Sequence, residues 1–359
     1  MSQTLLTNAL CKKLHLKWPL IQAPMGGLTT AKLVATVSET GALGFLGAAY
    51  MPPAVMEETI NDVKKRTQRS FGVNLFAPTK IPHLSAQQIN SAIQATHAYR
   101  AELGISDPQI QAPFDESFDE QFAVLLKCKP AVFSYTFGLI SKEMLKECRQ
   151  QQIITLGTAT TLEEGLLLQE YGVDGVIAQG MEAGGHRGAF SPEQCDPLIG
   201  TLALTCSLLQ ELNIPVIASG GIMDGAQIAT ALILGAQAVQ LGTAFLLCQE
   251  TSTSPAYREQ IRKAKDHDTQ LTRAFSGRWA RGIKNRFMVE MEHKDQSILP
   301  FPAQNAFTRD IRKKAAELGR AEFLSLWAGH GVSATRQMNA QELVQILYEE
   351  TLKALHTNT

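Results

Sequence analysis

Eight short apolar segments, almost free of charge, recur along the chain and limit its fold more than any other feature. They are PLIQAPM (19–25), LGFLGAA (43–49), FGVNLFA (71–77), AVFSYTFG (131–138), IITLGTAT (153–160), GVIAQG (175–180), PVIASGG (215–221) and AVQLGTAF (238–245). Near-continuous hydrophobicity is what a strand buried on both faces requires, and parallel sheets bury both faces. Helical patterns lie between most of them. TTAKLVATVSETG begins at a threonine cap and stops at glycine; TTLEEGLLLQEYG has the T-x-x-E spacing of a capping box and the same stop; DGAQIATALILG repeats the layout. Alternating strands and helices place the chain in the α/β class. Eight repeats predict a (β/α)8 TIM barrel, with an open doubly wound sheet as the alternative.

Two stretches break the rhythm. Residues 78–128 are too long for a simple crossover and carry Pro78, Pro82, Pro108, Pro113 and the acidic DESFDEQ; residues 251–337 follow the last strand and hold SGRWARGIKNRF and LPFPAQNAF. Insertions after barrel strands project from the face where such barrels do their chemistry. The expected organisation is a barrel over 1–250, with 78–128 inserted toward the cap, and a smaller, mainly helical cap over 251–337. A helix over 338–359 then completes the barrel, its face of Val344, Leu347, Tyr348, Leu352 and Leu355 packed back on it.

Composition narrows the function classes. Of 359 residues 45% are hydrophobic and 19% charged, with a net charge of -1, so nothing electrostatic points to nucleic acid or an anionic membrane. No apolar run is long enough to span a bilayer, and the first residues lack the layout of a secretory signal, so a soluble, cytoplasmic protein is expected. Cys11, Cys128, Cys148, Cys195, Cys206 and Cys248 show neither C-x-x-C nor zinc-ligand spacing; they are expected to be buried thiols, with no metal site. H-E-x-x-H, G-x-x-x-x-G-K-[ST] and G-x-S-x-G are absent, which weighs against metalloprotease, P-loop and serine-hydrolase chemistry.

Barrels of this class commonly hold a phosphate between the loops after strands 7 and 8. Those loops read SGGI (219–222) and QLGT (240–243). Gly220 and Gly221 lack a Cβ, so main-chain N–H groups can approach phosphate oxygens; the helix beginning at Asp224 would add its dipole, and Gly242 and Thr243 an N–H and a hydroxyl. Either turn alone reads equally well as a tight βα turn; two at consecutive strand ends favour a phosphate. The ligand could be a sugar phosphate or a cofactor. Asn74 and Gln179 offer amides for the pyrimidine edge of an isoalloxazine ring, and the backbone around Met25 a small-residue surface for its face. The eight strand cores contain no lysine or arginine. These features tilt the choice toward flavin.

QAPM, GVNLFAP, EAGGHRG, PVIASGGI and AVQLGTAF, taken in order, resemble the FMN-dependent nitronate monooxygenase family, also known as 2-nitropropane dioxygenases. The similarity continues through SGRWARGIKNRF, FPAQN and LWAGHG, over nearly the whole chain. It implies a barrel with non-covalent FMN under a second, smaller domain. By position, Asn74, Gln179, Gly184, Gly221, Gln240, Leu241, Gly242 and Thr243 would contact FMN, with Met25 against the ring and His186 as the active-site histidine. It further implies oxidation of alkyl nitronates by dioxygen to a carbonyl compound and nitrite, with propionate 3-nitronate as substrate and a homodimer as one possible assembly. Family members often carry tyrosine where Phe301 stands and glutamine where His330 stands. The FMN-dependent enoyl-acyl-carrier-protein reductases, which use NADH or NADPH, share the glycine–histidine stretch and are the nearest rival.

QGMEAGGHRGAF (179–190) then becomes readable. Glycines 184, 185 and 188 would let the backbone lie against a flavin and leave His186 over the substrate, to accept a proton from the carbon beside a nitro group or to bond nitronate oxygens. Residue type alone favours a histidine hydrogen-bonded in a turn; its place after strand 6 favours function. Glu182 is read as a turn cap and Arg187 as a solvated charge. Arg278, Arg281 and Lys284 are candidates for binding a substrate carboxylate, although a basic surface segment explains each equally well.

Overall fold

The computed structural model describes residues 6–191 and 197–357. Each of the eight segments forms a strand: β1 Leu20–Gln22, β2 Gly44–Gly47, β3 Phe71–Phe76, β4 Val132–Thr136, β5 Ile154–Ala159, β6 Gly175–Gln179, β8 Val216–Ser219 and β9 Ala238–Leu241. A ninth element, the two-residue β7 (Gly185–His186), lies in the loop after β6. The eight long strands run parallel in the order β1-β9-β8-β6-β5-β4-β3-β2, and a parallel bridge between Ile21 and Leu43 joins the two ends. That bridge excludes the open sheet. The chain folds as a (β/α)8 barrel.

Alternation along each strand sorts side chains between barrel axis and helix layer. Ile21, Phe45, Leu156, Ile177 and Ile217 fill the axis in one apolar cluster, whereas Leu46, Val73, Leu75 and Val176 face the outer helices. Gly72 is imposed by this filling, since a Cβ there would sit 2.3 Å from the ring of Phe45. Leu10 and Leu14, from helix Ala9–Leu14, join the axial cluster. Asn8 Nδ2 bonds Gln237 O just before β9 at 2.6 Å, so this helix closes the N-terminal mouth. The helix caps expected from sequence form at Thr30, Thr161 and Asp224, and Gly172 and Gly235 end their helices with positive φ. Glu164 departs from the capping box: its carboxylate takes Thr160 N and Oγ1 and Phe190 N.

The C-terminal helix Ala340–Thr357 packs on helix Gly225–Leu234 with Leu343, Val344, Leu347 and Leu355 buried, each worth about 1.5–3 kcal/mol when fully removed from water. One expectation is corrected. The stretch 78–128 divides: helix Ala86–Leu103 buries Ala92, Tyr99 and Leu103 against residues of 246–332, but helix Phe118–Cys128 buries Phe122 and Leu125 on the barrel. Gln121 Nε2 fastens the second helix to the carbonyls of Ala48, Ala49 and Met51. The segment after β9 is mainly helical, as expected, and also holds two short strands. It contributes β10 (Thr269–Thr272) and β11 (Ala280–Ile283) to an antiparallel sheet whose third strand is β7. Cys206 is half-buried, unlike the buried Cys11, Cys128, Cys148 and Cys248, and Cys195 lies outside the described residues. Among the described residues no helix is long and apolar enough to cross a membrane.

Candidate active site

Toward the C-terminal end of the strands the inward side chains change from apolar to polar. Asn74, Ser134, Thr136, Thr158, Gln179, Ser219 and Gln240 line one cavity, and the registers Asn74↔Ser134, Gln179↔Ser219 and Ser219↔Gln240 set them at similar heights. Asn74 Nδ2 bonds Ser134 Oγ at 2.9 Å, and Gln240 Nε2 reaches Ser219 Oγ at 3.4 Å. The cavity encloses about 1270 Å³ of empty space, including its open mouth. Met25, Asn74, Gln179, Gly184, His186, Gly220, Gly221, Gln240, Leu241, Gly242 and Thr243 all line it.

At the β8 and β9 end, Gly220 and Gly221 have φ of 125° and 69°, a backbone that side chains with a Cβ rarely adopt. The N–H groups of Gly221, Gly242 and Thr243 have no acceptor among the described residues. Thr243 Oγ1 accepts Gly329 N at 2.9 Å, so its own proton is free for a ligand. The helix that starts after Asp224 does not serve as expected. Its first turn is occupied by carboxylates, Asp224 Oδ1 accepting Gln227 N and Glu350 Oε2 accepting Gly225 N. The N–H groups without an acceptor among the described residues at this end of the cavity are those of the two glycine turns.

Glu182 caps a turn, and the turn belongs to another element. Its carboxylate takes Thr201 N at 2.9 Å and Thr201 Oγ1 at 2.7 Å, at the start of helix Thr201–Glu211, whose own cap residue Gly200 supplies no side chain. Thr201 Oγ1 is also 3.0 Å from Gly220 O. The main-chain carbonyl of Glu182 accepts His330 N. One residue thus ties together the glycine turn, the histidine loop and the 328–331 loop.

β7 pairs with β11, with Ala280 opposite His186 and Arg281 opposite Gly185, so the strands above the barrel set the histidine's position. The glycines around it are needed for different reasons than expected. A Cβ on Gly184 would lie 2.5 Å from the Ala328–Gly329 backbone, and one on Gly188 2.7 Å from Thr158; only Gly185, with φ of 76°, faces open space. Gln179, expected to present its amide to a ligand, uses it on this loop: Nε2 donates to His186 O, and Oε1 accepts from Gly188 N and Arg187 Nη1. Arg187 is not a solvated charge but 2% exposed, donating to the carbonyls of Gln179 and Gly180.

The His186 ring is caged by Phe76, Phe137, Phe301 and Trp327, with centroids 5.6–6.2 Å away. Nε2 lies 2.9 Å from Ser276 Oγ. Burial, then the charges of Arg278 and Arg312, push its pKa down to about 3, so the ring is neutral at ordinary pH. Arg278 is buried over Phe137, 4.0 Å from the ring centroid, donates to Ala189 O and Phe190 O, and is itself lowered to about 10 by burial. Of the other carboxylate-binding candidates, Arg281 is spent on Met181 O and Thr269 Oγ1, and Lys284 is exposed. Phe301 belongs to the cage, while His330 stands half-buried on the adjoining loop.

Sequence reasoning missed Tyr50, Phe76, Phe137, Ser276 and Arg312. Ser276 and Arg312 lie in the long stretch after the last strand, where no periodicity reveals a partner. Phe137 has φ of 82°, strain of a kind found where function demands it, but dihedrals cannot be read from sequence.

The nitronate monooxygenase family pattern matches residues 7–350. A probable nitronate monooxygenase of Staphylococcus haemolyticus (strain JCSC1435) is 38% identical over 96% of this chain and 96% of its own length. One from Staphylococcus aureus (strain MSSA476) is 40% identical over 90% and 91%. In structure, the chain is similar to nitroalkane oxidase from Streptomyces ansochromogenes, with a TM-score of 0.92, 37% identity, and 98% and 100% of the two chains covered. FabK from Thermotoga maritima is more distant, at a TM-score of 0.75 and 25% identity over 97% of each chain. Matched over nearly its whole length by the family pattern and by relatives 38–40% identical, the chain belongs to the nitronate monooxygenase family.

Proposed function

We propose that the protein is an FMN-dependent enzyme that oxidises alkyl nitronates, propionate 3-nitronate among them, with dioxygen to a carbonyl compound and nitrite. The observation that carries this reading is a neutral, caged His186 in the same cavity as two glycine turns whose N–H groups have no acceptor among the described residues. The residues present suit a flavin mononucleotide. Gly221, Gly242 and Thr243 offer phosphate donors, and Gln240 Oε1, buried with no partner among the described residues, needs a donor such as a flavin ring or ribityl tail provides. When bound, FMN supplies the one-electron acceptor that the oxidation requires.

The protein's own part is electrostatic and positional. Arg278 and Arg312 give the histidine end of the cavity a positive field, which favours a nitronate anion over the neutral nitroalkane. Ser276 Oγ has two acceptors within reach, His186 Nε2 at 2.9 Å and Arg278 O at 3.1 Å. When Ser276 donates to the ring, the proton of neutral His186 resides on Nδ1, a donor for a nitronate oxygen. A base lowered to about 3 is poorly matched to a carbon acid, so the reading is of an enzyme that takes the nitronate already formed. The phenyl rings and Trp327 keep water from the reacting carbon.

The test is nitrite release and oxygen uptake by FMN-loaded protein with propionate 3-nitronate and with the parent nitro acid. Turnover of the nitronate in clear excess is expected, and His186→Asn should lower it. No turnover would refute the reading, and full activity in the variant would remove the histidine from it. The likeness to FabK makes rapid NADH or NADPH oxidation with an enoyl substrate the outcome that would favour the reductase instead.

A further inference from the structure

Beyond the histidine cage the cavity reaches Tyr50, three residues past the end of β2. Its hydroxyl is buried and has no hydrogen-bond partner among the described residues. Nothing in the catalytic reading uses it. The ring is held by an edge-on contact with Phe76 at 5.3 Å and by Gly26, where a Cβ would come within 3.0 Å of it. His186 meets the same phenyl ring at 6.2 Å, so a molecule only a few carbons long can touch both.

The charges around this hydroxyl are mostly of one sign. Arg312, Arg309 and Arg278 act on it, against one acid, Asp115, on an exposed rim. The acids near the arginines are engaged elsewhere: Glu164 with Thr160 and Phe190, Asp310 with Arg100. Arg312 donates to Asn305 and Thr308 oxygens and Arg278 to main-chain carbonyls. Burial lifts the phenol to about 12, so it remains a donor. A fixed donor without an acceptor, set among three arginines that outnumber the one acid at the rim, is half of an anion site.

We infer that Tyr50, in the field of Arg278 and Arg312, forms a second anionic subsite that receives a carboxylate at the end of the substrate remote from the nitronate. The inference rests on the nitronate reading and deepens it: Tyr50 is the residue that sets the preference for a carboxylated nitronate over an uncharged-tail one.

The experiment compares propionate 3-nitronate with propyl-1-nitronate, which has a methyl group in place of the carboxylate, on FMN-loaded wild type and Tyr50→Phe. The ratio of their kcat/KM values should favour the carboxylated nitronate in wild type. It should fall about ten- to a hundredfold in the variant, the range for one hydrogen bond to a charged group. An unchanged ratio overturns the subsite, as does a variant whose main defect is a raised Kd for FMN, which would assign the hydroxyl to the cofactor. Should the variant fail to fold, the wild-type ratio decides: turnover of both nitronates without preference refutes the subsite alone, whereas turnover of neither refutes the parent reading with it.

Discussion

His186 makes the stability of this protein depend on pH in a way that one substitution can isolate. Its pKa is about 3 in the folded chain, against 6.5 for an ordinary histidine, because burial and then Arg278 and Arg312 oppose the charged ring. The folded value is depressed, so its stabilising contribution is fully present above pH 6.5 and is lost as pH falls from there toward 3. In that window the unfolded chain binds a proton that the native chain does not. At about 1.4 kcal/mol per pH unit, wild type loses about 2 kcal/mol through this residue on going from neutral pH to pH 5. His186→Asn cannot titrate and escapes the loss. Urea unfolding of both proteins at pH 7 and pH 5, with matched cofactor content, gives a double difference in which the other titrating groups cancel. The wild-type decrease should exceed that of the variant by about 2 kcal/mol. Equal decreases, or an imidazole NMR resonance for residue 186 that titrates near pH 6.5, would refute the reasoning.

Two further outcomes follow from the geometry. Glu182→Gln removes the charge that holds Thr201 and, through it, Gly220; with charge-assisted bonds worth about 1.5–3 kcal/mol, only part of it felt by the turn, the Kd for FMN should rise about tenfold, measured by quenching of flavin fluorescence. Gly184→Ala places a Cβ 2.5 Å from the Ala328–Gly329 backbone; a loss of about 1–3 kcal/mol and faster proteolysis within 325–337 are expected, and an unaltered cleavage rate would contradict that contact.

The barrel was legible because its periodic signals are local. A strand buried on both faces needs an unbroken apolar run, and a helix needs a cap and a stop; Thr30, Thr161, Asp224, Gly172 and Gly235 each perform the role their neighbours imply. The site was legible in outline for the same reason. Strand ends converge in a closed barrel, so Asn74, Gln179, Gly221 and Thr243 had to meet once eight strands were recognised. What each side chain does there was not legible. Gln179 is bound to the loop above it, Arg187 is buried, and Gly184 makes room for backbone more than a hundred residues away.

The sequence by itself determined the strand–helix alternation and which residues end each strand, since these depend on periodicity and on interactions within a few residues, whereas closure into a barrel was settled by the bridge between Ile21 and Leu43. Only the tertiary structure decided the protonation of His186, the buried arginines beside it, and the sheet that joins β7 to β11. Burial and Coulomb interactions act through space between groups far apart in the chain, so the order of residues does not reveal them until the fold has brought those groups together.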